Sequence, residues 1–224
     1  MSVRIDLHVH SRHSPDSTVN VEEYVQHAAR VGLNGLALTD HNSSAGLGEL
    51  DALAPRYPEL LLLRGVEVST IEGHLLVYGV HEAPPAPRPL VETLDWVRDR
   101  GGEAVLAHPF RWTHGVGRRV AESSPVAAVE VTNGHNSPRA NLRAALLVAR
   151  RRLGATGGSD AHQITQLGRA FTEFPDGSES TDALLEAIRR GGTRGGGSGS
   201  GLGERVALTT RSAFLRFRRG FRPI

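Results

Sequence analysis

The amino-acid sequence predicts an α/β fold in which strands alternate with helices, as in an α/β barrel. Over the first 175 residues, short apolar runs alternate with stretches whose apolar residues recur at helical spacing. This repeated strand-then-helix order is typical of a parallel sheet, closed or open. The length of 224 residues suits one domain with a sizeable core, and a barrel of slightly reduced size would fit it.

The first half of the chain is predicted to form five strands and two helices. Strands are expected at residues 3–7, 35–39, 60–63, 66–69 and 74–80. Helices are expected at residues 21–31 and 45–54. In the first helix Val21, Val25 and Ala28 share one face, and Asn20 with Glu23 forms a capping pair at its start.

The second half continues the alternation after a proline-rich connector at residues 84–89. Helices are expected at residues 90–100, 141–153 and 181–190, and strands at residues 104–107, 127–131 and 155–158. Leu90, Leu94 and Val97 lie on one face of the first of these helices, which supports its assignment.

We expect three segments along the chain. Residues 1–190 would form the barrel domain, and residues 191–203, almost all Gly, Ser, Thr and Arg, would form a flexible loop. Residues 204–224 would form a basic C-terminal segment, a short strand or terminal helix, that packs on the barrel. Between residues 205 and 222 this segment has six arginines and no acidic residue. It could contact nucleic acid or a phosphate-rich partner, or be a solvated amphipathic helix.

The composition limits which atoms could bind a metal and in which compartment the protein is expected. The chain has no cysteine, so any metal must be bound by nitrogen and oxygen atoms. No run approaches ~18 uninterrupted apolar residues, and the N-terminus has no apolar signal region. We therefore expect no membrane association and a cytoplasmic location. The formal net charge is +2, and all 26 basic residues are arginine.

Ligand-type side chains occur next to one predicted strand after another. They are His8 and His10 after the first strand, His41, Glu67 and His74 beside the following ones, and His108, Asp160 and His162 in the second half. In barrels the C-terminal ends of the strands gather at one face, so these side chains are expected to converge. Residues i and i+2 of a strand point to the same side, and imidazole and carboxylate groups suit Zn, Mn or Fe.

Five short sequence motifs contain these residues, with the exception of His74. They are DLHVHS at residues 6–11 with SPD at 14–16, LTDH at 38–41, GVEVS at 65–69, AHP at 107–109 and GSDAH at 158–162. Together and in this order they resemble the motifs of the PHP (polymerase and histidinol phosphatase) superfamily. The resemblance extends over roughly residues 3–175.

The resemblance implies a distorted (β/α)7 barrel with a metal site at the C-terminal ends of the strands. Two to three divalent ions (Mn, Fe or Zn) would be bound there, in a trinuclear centre when complete. By motif, the first ion would be held by His8, His10, Glu67 and Asp160. Glu67 would bridge to a second ion held also by His74 and His108. A third ion would be held by Asp16, His41 and His162.

The resemblance also implies hydrolysis of a phosphate ester by a metal-activated hydroxide. A small-molecule or nucleotide phosphomonoester is the leading substrate class, with Glu67 and Asp160 at the reacting centre. His135, in a loop near the expected mouth, could supply the proton to the leaving group. Because guanidinium groups suit phosphate oxygens, polar residues near the motifs are candidate substrate contacts. They are Arg12, Arg111, Asn133, Arg139 and Arg169.

Two alternatives remain open at the level of sequence. One is an exonuclease or oligonucleotide-end processing phosphodiesterase whose arginine-rich C-terminus contacts the backbone, although the low aromatic content of 5% argues mildly against base stacking. The other is a non-catalytic, metal-stabilised binding module, against which the complete ligand set argues. A carbon–nitrogen hydrolase site built on a carboxylated lysine is excluded because the chain has no lysine.

Overall fold

Nine strands form one nearly closed sheet with helices packed around it, as shown by a computed structural model that describes residues 2–220. The strands are β1 (Val3–Val9), β2 (Gly35–Leu38), β3 (Leu61–Ser69), β4 (His74–Tyr78), β5 (Glu103–Leu106), β6 (Ala128–Asn133), β7 (Gly154–Gly158), β8 (Ala170–Phe174) and β9 (Arg194–Gly197). The α-helices are α1 (Val21–Ala28), α2 (Leu47–Leu53), α3 (Leu90–Arg98), α4 (Gly117–Ser123), α5 (Pro138–Arg151), α6 (Thr181–Arg189) and α7 (Leu202–Arg218).

The strand directions bring the ends of many strands to one edge of the sheet. The order is β7-β6-β5-β4-β3-β2-β1-β8-β9. β1, β2 and β3 are parallel, as are β5, β6 and β7, while β4 is antiparallel to both β3 and β5. These six parallel strands therefore end at the same edge, here called the carboxyl edge. The reversed strand β4 begins there.

The sheet closes where the chain beyond β7 meets the end of β1. The main-chain N–H of His10 donates to the carbonyl of Ala161 (2.9 Å), and that of Ala161 donates to the carbonyl of His8 (3.2 Å). A Cβ atom at Gly158 would lie 2.3 Å from the Cβ of His8, so only glycine allows this approach. The predicted α/β barrel is thus confirmed, although β3 and β4 form a hairpin that a regular (β/α)7 barrel would lack.

Three groups of buried apolar side chains hold the helices to the sheet. One joins α3 and α5 to β3, β4 and β6. A second joins α1 and α2 to β2, with Tyr24 and Leu36 fully buried. A third joins α6 to the strands through Leu184 and Ile188. Burying a large aliphatic side chain is worth about 1.5–3 kcal/mol, so these contacts fix the frame on which the carboxyl edge rests.

Several elements differ from the sequence-based expectation. The two strands predicted at residues 60–63 and 66–69 are the single strand β3, because Arg64 interrupts the apolar run without interrupting the strand. Its guanidinium pairs with Asp51 (Nε to Oδ1, 2.8 Å). Strand β8 and helix α4 were not predicted from the sequence.

The glycine-rich stretch expected to be a flexible loop contains strand β9. β9 pairs antiparallel with β8, and the following Ser200 is buried. Cβ atoms would lie 2.5 Å from the carbonyl oxygen of Thr156 at Gly195 and 2.2 Å from that of Arg169 at Gly197. The glycines are therefore required by close backbone packing over β7 and β8.

The basic segment expected at residues 204–224 is mostly helix α7, which lies over the carboxyl edge. The part of that prediction that falls on residues 221–224 lies outside the described residues. Within residues 2–220, none of the helices is both long enough and apolar enough to cross a membrane.

Candidate metal centre

Glu67 lies at the centre of a group of imidazoles at the carboxyl edge. It is in β3, and its side chain is 1% exposed. Its Oε1 lies 2.8 Å from Nδ1 of His74 and 2.9 Å from Nε2 of His108. Its Oε2 lies 3.0 Å from Nδ1 of His41 and 3.2 Å from Nε2 of both His8 and His10. One carboxylate thus contacts five histidines from four different parts of the sheet.

The reversed direction of β4 explains how His74 reaches this group. His74 is the first residue of β4, and β4 starts at the carboxyl edge where its neighbours end. His108 follows β5 with a φ of 27°, in the left-handed region that non-glycine residues avoid. Such a conformation costs of order 1–3 kcal/mol and persists where the surrounding contacts over-determine it.

Asp160, which follows β7, forms the second carboxylate of the centre. Its Oδ1 lies 3.3 Å from Nε2 of His10 and 3.6 Å from Nε2 of His8. Its Oδ2 accepts hydrogen bonds from Arg111 (2.5 Å) and Asn133 (3.2 Å). The residue also adopts a left-handed φ of 57°, so its position at the closure of the sheet is locally strained.

Asp16 forms a third group with the remaining predicted ligands. Its Oδ2 lies 3.1 Å from Nε2 of His162 and 3.6 Å from Nε2 of His41. It also accepts a hydrogen bond from the hydroxyl of Ser212 in α7 (3.0 Å). All nine sequence-predicted ligands are thus brought to one buried region.

The electrostatics of the centre favour ionised carboxylates. Burial alone would raise the pKa of Glu67, but His74, His8 and His41 outweigh it and hold that pKa well below its usual range. Burial opposes ionisation of Asp160 in the same way. There His8 and Arg111 prevail, so the pKa of Asp160 is also well below its usual range.

The pKa values of the imidazoles shift in different directions, depending on their surroundings. Burial would lower the pKa of His10, but the neighbouring carboxylates of Asp160 and Glu67 outweigh it and raise that pKa to about 9. For His41, burial prevails and lowers the pKa to about 4. Burial likewise lowers the pKa of His135 to about 3, so this imidazole is neutral near pH 7.

The donor set fits divalent metal ions. His8 Nε2, His10 Nε2 and His41 Nδ1 are buried and have no hydrogen-bond partner within the described part of the chain, yet each lies 3.0–3.2 Å from Glu67 Oε2. Two ligands of one ion with bonds of about 2.1 Å are separated by roughly 3 Å, so these nitrogens are spaced as ligands. Among residues 2–220, ligand atoms lie within 4.8 Å of one another in several overlapping triads. They are His8–Glu67–His108, His8–His10–Asp160, His41–Glu67–His74, His10–His41–His162 and His135–Asp160–His162.

A fourth acidic residue, Glu130, supports the centre and was missed in the sequence. It is fully buried in β6. Its Oε1 accepts from His8 Nδ1 (2.9 Å), and its Oε2 accepts from the main-chain N–H of His108 (2.8 Å) and from Asn133 Nδ2 (3.0 Å). The sequence signal was a lone acid inside the apolar run at residues 127–131, because a buried carboxylate requires a polar partner.

The predicted substrate contacts are divided between the centre and the surface. Arg111 lines the cavity above the predicted ligands, and Asn133 lies beside it, donating to Asp160. Arg12 instead pairs with Glu49 (2.5 Å), and Arg169 pairs with Glu204. Arg139 is exposed at the start of α5 and does not line the cavity.

A cavity of about 790 Å³ lies between the predicted ligands and α7. Its floor includes Asp16, His41, Glu67, His74, Asp160 and His162. His135 lines one side, with its ring 5.4 Å from that of His162. Arginines of α7, which the sequence showed only as a basic tail, line the roof at positions 205, 211 and 216. A volume of this size is typical of a small-molecule site.

Two family models match the chain. The PHP domain matches residues 6–101, and a PHP-associated model matches residues 138–193. Both segments contain residues of the centre described above.

Three relatives match stretches of different length in this chain. An uncharacterised protein of Methanocaldococcus jannaschii is 30% identical over 184 residues, which are 78% of this chain and 71% of that protein. The 3',5'-nucleoside bisphosphate phosphatase of Chromobacterium violaceum is 42% identical over 86 residues, 37% of this chain and 30% of that enzyme. A 5'-3' exoribonuclease of Haemophilus influenzae is 40% identical over 70 residues, 31% of this chain and 25% of that enzyme. The chain thus aligns with less than a third of either of the two named enzymes.

A solved structure shares the fold. The crystal structure of a two-domain protein from Bacteroides vulgatus, containing a predicted PHP-like metal-dependent phosphoesterase, superposes with a TM-score of 0.75. The two sequences are 20% identical, and the superposition covers 88% of this chain and 65% of that one.

Proposed function

The chain belongs to the PHP family of phosphoesterases, and from that premise we propose that it removes phosphate from a small phosphorylated molecule, with a nucleotide or similar monoester as the leading class. The observation that carries the proposal is the buried Glu67 carboxylate, whose two oxygens contact five imidazoles at 2.8–3.2 Å below an open cavity. Such a donor set binds divalent cations, and the cavity admits a small ester.

We propose that the nine converging residues hold two to three ions of Mn, Fe or Zn. His8, His10, Glu67 and Asp160 would hold the first, Glu67 with His74 and His108 the second, and Asp16 with His41 and His162 the third. When bound, such ions supply Lewis-acid polarisation of phosphoryl oxygens and lower the pKa of water.

The chain's own residues hold this arrangement in place. Glu130 accepts from Nδ1 of His8, which leaves Nε2 of that imidazole free to act as a ligand. Arg111 and Asn133 fix Asp160 Oδ2 and leave Oδ1 directed at His8 and His10. Arg111 also lines the cavity, where its guanidinium would bind the oxygens of a phosphate.

His135 is proposed to act on the leaving group as a neutral hydrogen-bond donor. Its Nε2 is buried and has no hydrogen-bond partner in the stretch 2–220, and burial keeps the imidazole uncharged near pH 7. It would therefore orient the departing oxygen by a hydrogen bond from the side of the cavity, and it would not act as a protonated general acid.

The test is hydrolysis of a generic aryl phosphate by the purified protein with Mn, Fe or Zn added in turn. His8→Ala should lower both bound metal and turnover by more than about a hundredfold, since it removes a ligand that two carboxylates contact. His27→Ala, in α1 and away from the cavity, is the matched control and should leave both unchanged. Retained turnover in the His8 variant would refute the ligand assignment.

A second candidate is the processing of oligonucleotide ends. It is favoured by the arginines of α7 above the cavity and by the similarity to an exoribonuclease. Contacts to a nucleic-acid backbone would make binding fall steeply with salt. Comparing a 5'-phosphorylated oligonucleotide with the mononucleotide at two salt concentrations distinguishes the candidates. A faster, salt-sensitive reaction on the oligonucleotide would favour the nuclease.

A further inference from the structure

Helix α7 contacts the barrel through a narrow face that is mostly polar. No side chain of the helix is fully buried. The half-buried positions recur on one side of the helix and are Glu204, Arg205, Leu208, Ser212, Leu215 and Arg216. Ser212 Oγ donates to Asp16 Oδ2 (3.0 Å), and the following Arg219 donates to the carbonyl of Ser14 (2.6 Å). The position of α7 therefore depends more on polar contacts with residues of the site than on burial of an apolar helix face.

Of the three arginines of α7 that line the roof of the cavity, Arg211 is exposed, and Arg205 and Arg216 are half-buried. Arg205 donates to the carbonyl of Ser200 (2.6 Å), so part of its hydrogen-bonding capacity is used. Arg216 lines the cavity, and its Nε is buried without a hydrogen-bond partner among residues 2–220. Leaving a buried donor unsatisfied is costly, more so on a charged group, and an anion in the cavity would satisfy it.

Arg216 and Arg111 differ in what they already bind. Arg111 is bonded to Asn133 (2.6 Å) and to Asp160 (2.5 Å) and so belongs to the floor of the cavity. Arg216 is on the roof near His114, whose pKa is lowered by burial, by His74 and also by Arg216. The His114 ring lies 4.7 Å from that of His74. A ligand whose first phosphate reaches the floor could therefore present a second anion to Arg216.

We propose that Arg216 binds a second anionic group of the substrate, and that the protein prefers phosphate esters carrying a second phosphate. This inference rests on the proposed function, because the metal-binding residues are taken to hold the phosphate that is cleaved. A guanidinium makes paired hydrogen bonds to phosphate oxygens, and an ammonium does not reproduce that geometry. Arg216 is thus assigned as a specificity-determining residue.

The experiment compares a nucleoside monophosphate with the bisphosphate that differs from it by one phosphate, each as a competitor of aryl phosphate hydrolysis. The wild-type protein should bind the bisphosphate at least about tenfold more tightly. Arg216→Gln should abolish that preference while changing affinity for the monophosphate by less than about threefold, and Arg216→Lys should restore part of it. Arg218→Gln, on the same helix but outside the cavity lining, should keep the preference.

The outcomes separate this inference from the function on which it rests. If aryl phosphate is hydrolysed but the wild-type protein does not prefer the bisphosphate, Arg216 does not bind a second phosphate. The same conclusion follows if Arg216→Gln retains the preference for the bisphosphate. If aryl phosphate is not hydrolysed, the proposed function fails, and binding is read from fluorescence of Trp112, which is exposed on the cavity lining. Trp96, the other tryptophan of the chain, is then replaced by phenylalanine.

Discussion

Replacing Glu130 by glutamine should weaken metal binding while leaving the fold intact. The Glu130 carboxylate accepts hydrogen bonds from His8 Nδ1 (2.9 Å), the N–H of His108 (2.8 Å) and Asn133 Nδ2 (3.0 Å). A glutamine oxygen can occupy the position of Oε2, which accepts two of these bonds. Its NH2 group then faces His8 Nδ1, which must become an acceptor.

The change therefore acts through the tautomer of His8. When Nδ1 accepts, the proton moves to Nε2, the nitrogen that faces Glu67 (3.2 Å) and Asp160 (3.6 Å). A protonated nitrogen cannot bind an ion. Loss of such an outer contact typically costs 10–100-fold in metal affinity, about 1.4–2.7 kcal/mol. Because shape and the two hydrogen bonds to Oε2 are kept, the free energy of unfolding of the metal-free protein should fall by no more than about 1–3 kcal/mol, the cost of disturbing the third bond.

The assay is a chelator-competition titration of metal-free protein, paired with thermal unfolding in the absence of metal. Glu173→Gln, in β8 and paired with Arg4 at 3.5 Å, is the matched control and should bind metal as the wild type does. Wild-type affinity in Glu130→Gln would refute the tautomer argument. So would a large loss of stability before any metal is added.

Three further predictions concern packing, pH and metal removal. Gly158→Ala should destabilise the protein by more than about 2 kcal/mol and weaken metal binding, because the new Cβ would lie 2.3 Å from that of His8. Gly48→Ala, where the new Cβ would meet open space, is the control and should be tolerated. Since the pKa of His10 is about 9 before metal binds, an ion must displace a proton at pH 7.5, and apparent affinity should rise up to tenfold per pH unit for each proton displaced. Calorimetry in buffers of different ionisation enthalpy would detect that proton, and affinity independent of pH from about 6.5 to 8.5 would contradict it. A chelator should lower Tm, and metal added at about a thousand times Kd should raise the free energy of unfolding by about 4 kcal/mol. An unchanged Tm would show that the ions do not bind the folded state preferentially.

Much of the centre could be predicted because ligand residues next to strands obey simple geometry. Strand ends gather at one face, so histidines and carboxylates far apart along the chain were expected to meet. The direction of β4 could not be predicted, because a short apolar run does not show whether its strand is parallel or antiparallel to its neighbours. Its reversal is the reason that His74 reaches Glu67 from the start of a strand.

What could not be predicted depends on partners distant in the chain. Arg12 and Arg169 lie close to motifs in sequence, but Glu49 and Glu204 bind their side chains away from the cavity. The composition of residues 191–203 indicated flexibility, since glycine has no side chain to produce a strand pattern. Only the close packing of β9 against neighbouring backbone shows why glycine is needed there.

The central claim is that the clustered His, Asp and Glu residues form a metal centre that hydrolyses phosphate esters. The most direct test is elemental analysis of the purified protein, coupled to aryl phosphate hydrolysis with Mn, Fe or Zn added. We expect two to three bound ions per chain and turnover that depends on them. Absence of bound metal after reconstitution, or phosphate release that continues undiminished in metal-free protein, would contradict it.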